Sequence, residues 1–424
     1  MSKTLLSSVL LFILIGAFVL AGSVRFGKAQ SGTIVNGIIT SNTTWTYVNS
    51  PYSLSGPVAV NTGVTLTIEP GATVNLGSYY IQIKGTLIAI GTNTSKIQFI
   101  GGQIQFTAES AGWTQSTGSG SIISHARITG FVSITSSSPM ISESYLTSNT
   151  GSDGYPLEIN GGSPIISGNN FQSMEYSDRY GRLQATTTGL SVGGDALITD
   201  NDFSVGPIVV GWGSPVIQRN LMEDGSNIEV NTNSLDTNPT IQNNTFQFCE
   251  SAIAVGPTST QLPIIISYNN FENSSEYNVY WGAPNNINAA NNWWGTTDKG
   301  TINQSIYDFK NNFNSGAVNF VPFLVAPNPE AGLTASPPFA SSTPSTPSST
   351  PIQTSSPTLT QSQSPALSSS PSALLTQQPT ATPQPSTGSS LPLELIVVVV
   401  TVVIIAVAIG AFLLGKRAGR KNAR

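Results

Sequence analysis

One eight-residue phrase, Pro-x-Ile-x-x-Asn-x-Phe, recurs along the middle of the chain and constrains its fold more than any other feature. It reads SPIISGNNF from Ser163, ALITDNDF from Ala196, SPVIQRNLM from Ser214, NPTIQNNTF from Asn238 and IIISYNNF from Ile264. Its eighth position is Leu146, Phe171, Phe203, Met222, Phe246, Phe271 and Trp293, at spacings of 25, 32, 19, 24, 25 and 22 residues. Its third is Ile141, Ile166, Ile198, Ile217, Ile241 and Ile266, with Asn288 as the exception. Its sixth is Ser144, then Asn169, Asn201, Asn220, Asn244, Asn269 and Asn291. A degenerate copy, SIISHARI, starts at Ser121.

A second phrase follows each copy, a short apolar alternation: Leu157/Ile159, Leu190/Val192, Ile208/Val210, Ile228/Val230, Ile253/Val255 and Val279/Trp281. Each period therefore holds two short strands of period two, separated by Gly, Asn and Pro turns. Repeats of this length build solenoids, propellers or arrays. A propeller blade needs about 40 residues and four strands. Helical repeats need Ala, Glu, Lys and Leu, which are scarce here. The pattern thus predicts an all-β parallel β-helix of about 9–10 coils over residues 64–295, with like residues stacked at the spacing of paired strands. The Ile and the aromatic residues form inward columns. The Asn residues form a ladder at a bend, which Asn tolerates in the left-handed conformation and where stacked amides bond to one another.

Both ends of such a stack need covers. Residues 31–63 are expected to cap the first coil. Residues 296–325 are expected to cap the last, with a helix that puts Ile302, Ile306, Phe309 and Phe313 on one face. Thr301 and Gln304 form its capping box, and Gly316 stops it.

The entry segments LTIEPGATV (66–74) and GTLIAIGTNTSKIQF (85–99), with NNWWGTTD (291–298), IYDF and VPFL near the close, resemble the right-handed parallel β-helix (PbH1) repeat proteins. These include NosD-like and carbohydrate-binding or sugar-hydrolase domains. The resemblance covers about residues 33–325 and implies a right-handed, single-stranded helix. It is specific for fold and poor for function, because one fold hosts many activities. The whole layout is similar to archaeal cell-surface proteins that carry a stalk and one C-terminal anchor.

The flanks fit that layout. Residues 1–30 read as a secretory signal peptide, with Leu5–Leu20 as its apolar core. Residues 326–391 form a Pro/Ser/Thr-rich stalk; 13 of the 27 prolines lie between Pro327 and Pro385, beside one charge, Glu330. Such a segment buries no core and stays extended and disordered. Residues 395–414 are long and apolar enough to span a bilayer as one helix. The basic tail 415–424 then lies in the cytoplasm, as in a type I single-pass cell-membrane protein with its bulk outside. Between Gln30 and Ser390 stand eight Lys and Arg against 20 Asp and Glu, a net charge of −12. That acidic surface argues against a nucleic-acid partner and favours cations. Five Asn-x-Ser/Thr sequons, at Asn42, Asn93, Asn243, Asn273 and Asn303, suit a glycoprotein. The single cysteine, Cys249, permits no intrachain disulfide.

Candidate chemistry is sparse. Asp200 and Asp202 form the best carboxylate pair, spaced to serve as general acid and base. With Asp195 they could instead hold calcium, the one cofactor these residues suggest. Hydrolases of the resembled fold imply paired aspartates and a Gly-His-Gly. Here the sole histidine, His125, lies between Ser124 and Ala126, and Asn231–Asn233 carries no aspartate. Lyases of that fold imply calcium with an Arg or Lys base, for which Arg219 is the candidate. NosD implies copper, which one His, one Cys and four Met do not support. The longest insertion, Gln172–Gly189, carries Glu175, Tyr176, Asp178, Arg179, Tyr180 and Arg182, a mixture of aromatic and charged groups suited to sugars. The reading favours a non-enzymatic protein that binds glycans or other surface polymers, or builds the envelope. The alternative is a membrane-tethered polysaccharide lyase or glycoside hydrolase.

Overall fold

The computed structural model describes residues 32–148, 154–172, 175–177, 183–185, 189–204, 206–231 and 236–333. The chain divides into two units, Met1–Pro347 and Ser348–Arg424, and only the first contains described residues. The expected signal peptide, the membrane helix, the basic tail and the stalk beyond residue 333 lie outside them. Among the described residues, no helix is long and apolar enough to cross a membrane.

The fold is all-β, built from two long parallel sheets, and is compatible with a β-helix solenoid. One sheet holds ten strands, from Thr43–Trp45 to Ile265–Ser267. Each pairs in parallel with the strand one repeat later, so residues of like sequence meet. Ile141 lies beside Ile166, then Ile198, Ile217, Ile241 and Ile266, and all are fully buried. The other sheet has 18 strands and carries the aromatic position and the second phrase. Phe171 stacks on Phe203 at 4.4 Å, Phe246 on Phe271 at 5.3 Å and Phe271 on Trp294 at 4.9 Å. The second-phrase residues lie in register from Leu157 to Ile306 and are buried. The dry interior is therefore a set of columns, one residue per repeat in each.

The Asn ladder is present, with one rung moved. The side-chain oxygen of Asn201 accepts both the backbone and the side-chain N–H of Asn169, at 2.9 and 3.0 Å. The same pair of bonds runs from Asn201 to Asn220, on to Asn244 and Asn269, and from Asn269 to Asn292. Each amide also donates to the isoleucine carbonyl of the preceding repeat, as Asn220 does to Ile198 at 3.0 Å. Asn292, not the expected Asn291, is the last rung, and Trp294, not Trp293, closes the aromatic column. The shift follows from Ala289, which enters the core in place of Asn288.

The left-handed conformation belongs to the residue before each rung, not to the rung. Asp200, Arg219, Asn243, Tyr268 and Asn291 have φ between 52° and 62°. That outward residue turns the chain, which leaves the following Asn free to aim its amide inward.

At the N-terminal end, the segment expected as a cap already pairs as a repeat. Strand Thr33–Ile39 pairs in parallel with Tyr52–Val60, and Thr43–Trp45 with Thr65–Ile68. At the other end, the expected long helix is short. It covers Lys299–Gln304, and Asp298 caps it by accepting from the Thr301 N–H at 2.7 Å. Ile302 is buried as expected, but Ile306–Tyr307 joins the parallel sheet beside Val279–Tyr280. Phe309 and Phe313 are 50% and 81% exposed. Pairing Ile306 with a ready strand edge satisfies its backbone and buries its side chain together, which another helical turn would not.

The first residues of the expected stalk are folded. The chain turns back along the outward turns: Asn291 N–H bonds to Pro322 O, Asn328 N–H to Asn270 Oδ1, and Gly332 N–H to Asn243 O. The described chain thus ends two repeats back from the last rung.

Candidate functional site

The carboxylates singled out by sequence stand in adjacent columns but do not converge. Strand Leu197–Thr199 ends at Asp200, whose left-handed backbone points its side chain outward. One repeat later Arg219 occupies the same turn position. Asp200 Oδ1 accepts from Arg219 Nε and Oδ2 from Nη2, each at 2.8 Å. Thr199 Oγ1 donates to Asp200 Oδ2 at 2.7 Å and accepts from Arg219 Nη2 at 2.8 Å. The Asp200 hydrogen bonds raise the Arg219 pKa above its ordinary value. A guanidinium held in this fork cannot serve as a base.

Asp202 lies two residues on, in strand Asp202–Phe203, between Asn170 and Leu221 in register. Asn170 Nδ2 donates to its Oδ2 at 2.7 Å. Asp202 Oδ1 and Asn170 Oδ1 are both buried without a hydrogen-bond partner. Burial raises the Asp202 pKa, and the Asn170 bond opposes the shift. Burial, with Asp202 and Asp224 nearby, raises Glu223 as well. Asp195 is separate from both: its Oδ1 accepts from the Ser214 N–H at 2.9 Å. The expected calcium trio is therefore dispersed over three environments. No cluster of three or more His, Cys, Asp or Glu among the described residues is placed to hold a metal.

Of the insertion expected to bind ligand, Glu175–Ser177 pairs antiparallel with Leu183–Ala185. Asp178, Arg179, Tyr180 and Arg182 lie outside the described residues. His125 occupies a left-handed turn, φ 50°, with its Nδ1 2.9 Å from Ser124 Oγ. Burial, then Lys96, lowers its pKa. Cys249 is fully buried, and burial pushes its thiol up to about 12, which makes it inert at neutral pH. Asn42, Asn93, Asn273 and Asn303 are exposed. Asn243 is half-buried, and its Oδ1 accepts from Asn328 Nδ2 at 3.0 Å, so the returning segment lies on that sequon.

Two surface features escaped the sequence reading. Arg219, Asn243, Tyr268, Asn328 and Glu330 line a shallow pocket where the returning segment meets the turns. Tyr277, Tyr280 and Tyr307 form an aromatic group on the outside of the longer sheet. Tyr280 and Tyr307 stack at 4.3 Å with an interplanar angle of 13°, and Tyr277 stands edge-on to Tyr307 at 5.5 Å. Period-two alternation across Val279–Trp281 carried the signal for Tyr280. Val279 and Trp281 point inward, so Tyr280 must point out.

Compared with known proteins, the chain matches no family model, no curated protein and no solved structure.

Proposed function

We propose that the protein is a cell-surface right-handed parallel β-helix that binds glycans or other surface polymers. In this reading residues 1–30 direct export, 334–391 form the spacer, 395–414 anchor the chain, and exposed sequons carry sugar. The observation that supports it most is the regular polar exterior. Gln82, Gln105 and Ser133 stand in register on successive strands, and Gln103 donates to Ser133 Oγ at 3.2 Å and accepts from Gln105 at 2.8 Å. A row of amides and hydroxyls at strand spacing suits many weak contacts to a repeating polymer. The fork that holds Arg219 on Asp200 weighs against the lyase alternative.

The test is a polysaccharide screen of the full chain in detergent, with and without calcium, in which reducing ends and ultraviolet-absorbing unsaturated products are followed. Binding without product is the expected result. Product formation would establish the tethered lyase or hydrolase instead, and no binding to any polymer would end the glycan reading.

A further inference from the structure

We propose that a notch in the outer face of the longer sheet, walled by Tyr280 and Glu229 and floored by Ala254, is a subsite for a non-acidic pyranose unit. This rests on the glycan reading above and gives it a location and a sugar class.

The notch follows from register. Glu229 pairs with Ala254, Ala254 with Tyr280 and Tyr280 with Tyr307. These four residues form one outward column. Adjacent strands lie about 4.8 Å apart, so Glu229 and Tyr280 are about 10 Å apart with only a methyl group between them. A gap of one missing side chain accepts one flat ring.

Its walls are unlike. On one side is the face of Tyr280 turned toward Ala254. The other face is covered by Tyr307, and the two rings are nearly parallel. Tyr277 stands edge-on at 6.0 Å and limits the tilt of Tyr280. Tyr280 is therefore a braced platform, and the rotamer entropy lost on binding is small. On the opposite side is the exposed Glu229 carboxylate, with Asn227 Nδ2 3.5 Å from its Oε1.

A pyranose fits both walls. Its C–H face packs on an aromatic ring, while its equatorial hydroxyls donate to a carboxylate and accept from an amide. An aliphatic protein side chain would use the ring but leave Glu229 desolvated and unpaired. A uronate would place a second carboxylate against Glu229, in a domain whose net charge is already −12 between Gln30 and Ser390. Neutral and amino sugars carry no such penalty.

The test uses the full chain in detergent and three probes: a cello-oligosaccharide, a chitosan oligosaccharide and an oligogalacturonate. Ala254→Leu fills the notch without touching the core, and Tyr280→Ala removes the platform. Tyr280→Phe keeps the ring. The wild type is expected to bind one or both non-acidic probes and to prefer them to oligogalacturonate. Ala254→Leu and Tyr280→Ala are each expected to weaken that binding about tenfold or more. Tyr280→Phe is expected to stay within about threefold. If Tyr280→Ala unfolds, as circular dichroism would show, Ala254→Leu carries the test on its own. Should Ala254→Leu bind as tightly as wild type, the notch is not the site, although the glycan reading survives. Preference for oligogalacturonate overturns the sugar class. Silence with all three probes overturns the notch, and it ends the glycan reading only if the wider screen is silent too.

Discussion

The first repeats and the later ones turn the same corner by different means. In the N-terminal repeats one strand of the longer sheet runs straight through the bend. Thr73–Ile83 and Ile97–Phe106 have 11 and 10 residues, and their pairing slips at Gly77 and at Gly101–Gly102, all with positive φ. From Tyr145 onward the strand is cut in two. Tyr145–Thr147 and Leu157–Asn160 both pair with the undivided Ala126–Thr135, which marks the changeover. The Asn ladder begins at the same place: Ser144 Oγ accepts from the Ala126 N–H, and Asn169 Oδ1 from the Ser144 N–H. A glycine bulge bends a strand without interrupting its ladder. A left-handed turn interrupts it and strands backbone groups, and the buried amides satisfy those groups. The two halves thus trade backbone freedom against side-chain hydrogen bonds.

The largest expected effect lies in the amide ladder. Asn220→Ala removes the acceptor for the Asn201 backbone and side-chain N–H groups, and the donor to the Ile198 and Gln218 carbonyls. Asn220, Asn201 and Ile198 are all at zero exposure. At 1–3 kcal/mol for each stranded group, a loss of about 3–5 kcal/mol is expected in urea unfolding. Asn93→Ala, at an exposed turn of the N-terminal half, should change stability by less than about 0.5 kcal/mol. Equal losses at the two sites would show that the ladder holds nothing that an ordinary turn does not.

A smaller loss is expected from a glycine of the first half. A Cβ at Gly102 would lie 2.3 Å from the Tyr79 carbonyl oxygen and 2.5 Å from Leu76 Cβ, at φ +56°. Gly102→Ala should therefore cost about 2–4 kcal/mol, from backbone strain and overpacking together. Gly168 has a similar φ of +67° but sits at a later left-handed turn. A Cβ there meets only the Glu143 carboxylate, the free end of a flexible side chain. Gly168→Asn should cost less than about 1 kcal/mol. If it costs as much as Gly102→Ala, the later turns depend on glycine too, and the contrast between the halves fails.

The sequence carried most of this architecture because stacking forces chemistry to repeat. Ile141 through Ile266 and Phe171 through Phe271 occupy the columns their spacing implied. The errors fall where two registers fit equally well. Asn291, Asn292, Trp293 and Trp294 offer two choices of rung and two of aromatic plug, and only the packing of Ala289 separates them. Ile302 and Ile306 suit one helical face, but Ile306 is drawn into the sheet by Val279, 27 residues earlier, which no local window contains. The return of residues 322–332 rests on polar contacts through Asn328, a residue type too common here to signal anything. At the candidate site, the Asp200–Arg219 fork was legible in principle, since both fill the same position one repeat apart. The notch was not, because Ala254 matters there only as a side chain smaller than its neighbours in the column.

The smallest effect tests whether the amide ladder can be extended to the outer face. Asp202 and Asn170 sit side by side as two rungs, yet each keeps a buried Oδ1 without a partner. Asn at position 202 keeps the acceptor for Asn170 Nδ2 and supplies a donor where Asp202 Oδ1 now sits. Asp202→Asn should therefore stabilise the fold, whereas most substitutions of a half-buried residue do not. Its pH dependence follows from the raised pKa of Asp202. The fold favours the protonated form, so its contribution is complete in acid, below the ordinary value of 3.8, and is lost as the pH rises through the raised folded value. With the carboxyl half exposed and screened by water, the gain from Asp202→Asn at pH 7 is expected to be at most about 1 kcal/mol. In acid, the protonated Asp202 has a donor of its own, and the gain should fall toward zero. The substitution also removes a neighbouring charge from Glu223, whose titration should move down toward the ordinary carboxylate range. Unfolding curves of both proteins across the acid range read the first effect, and side-chain carboxyl resonances read the second. A loss of stability at pH 7 would show that the charge on Asp202 is held by the fold rather than resisted by it.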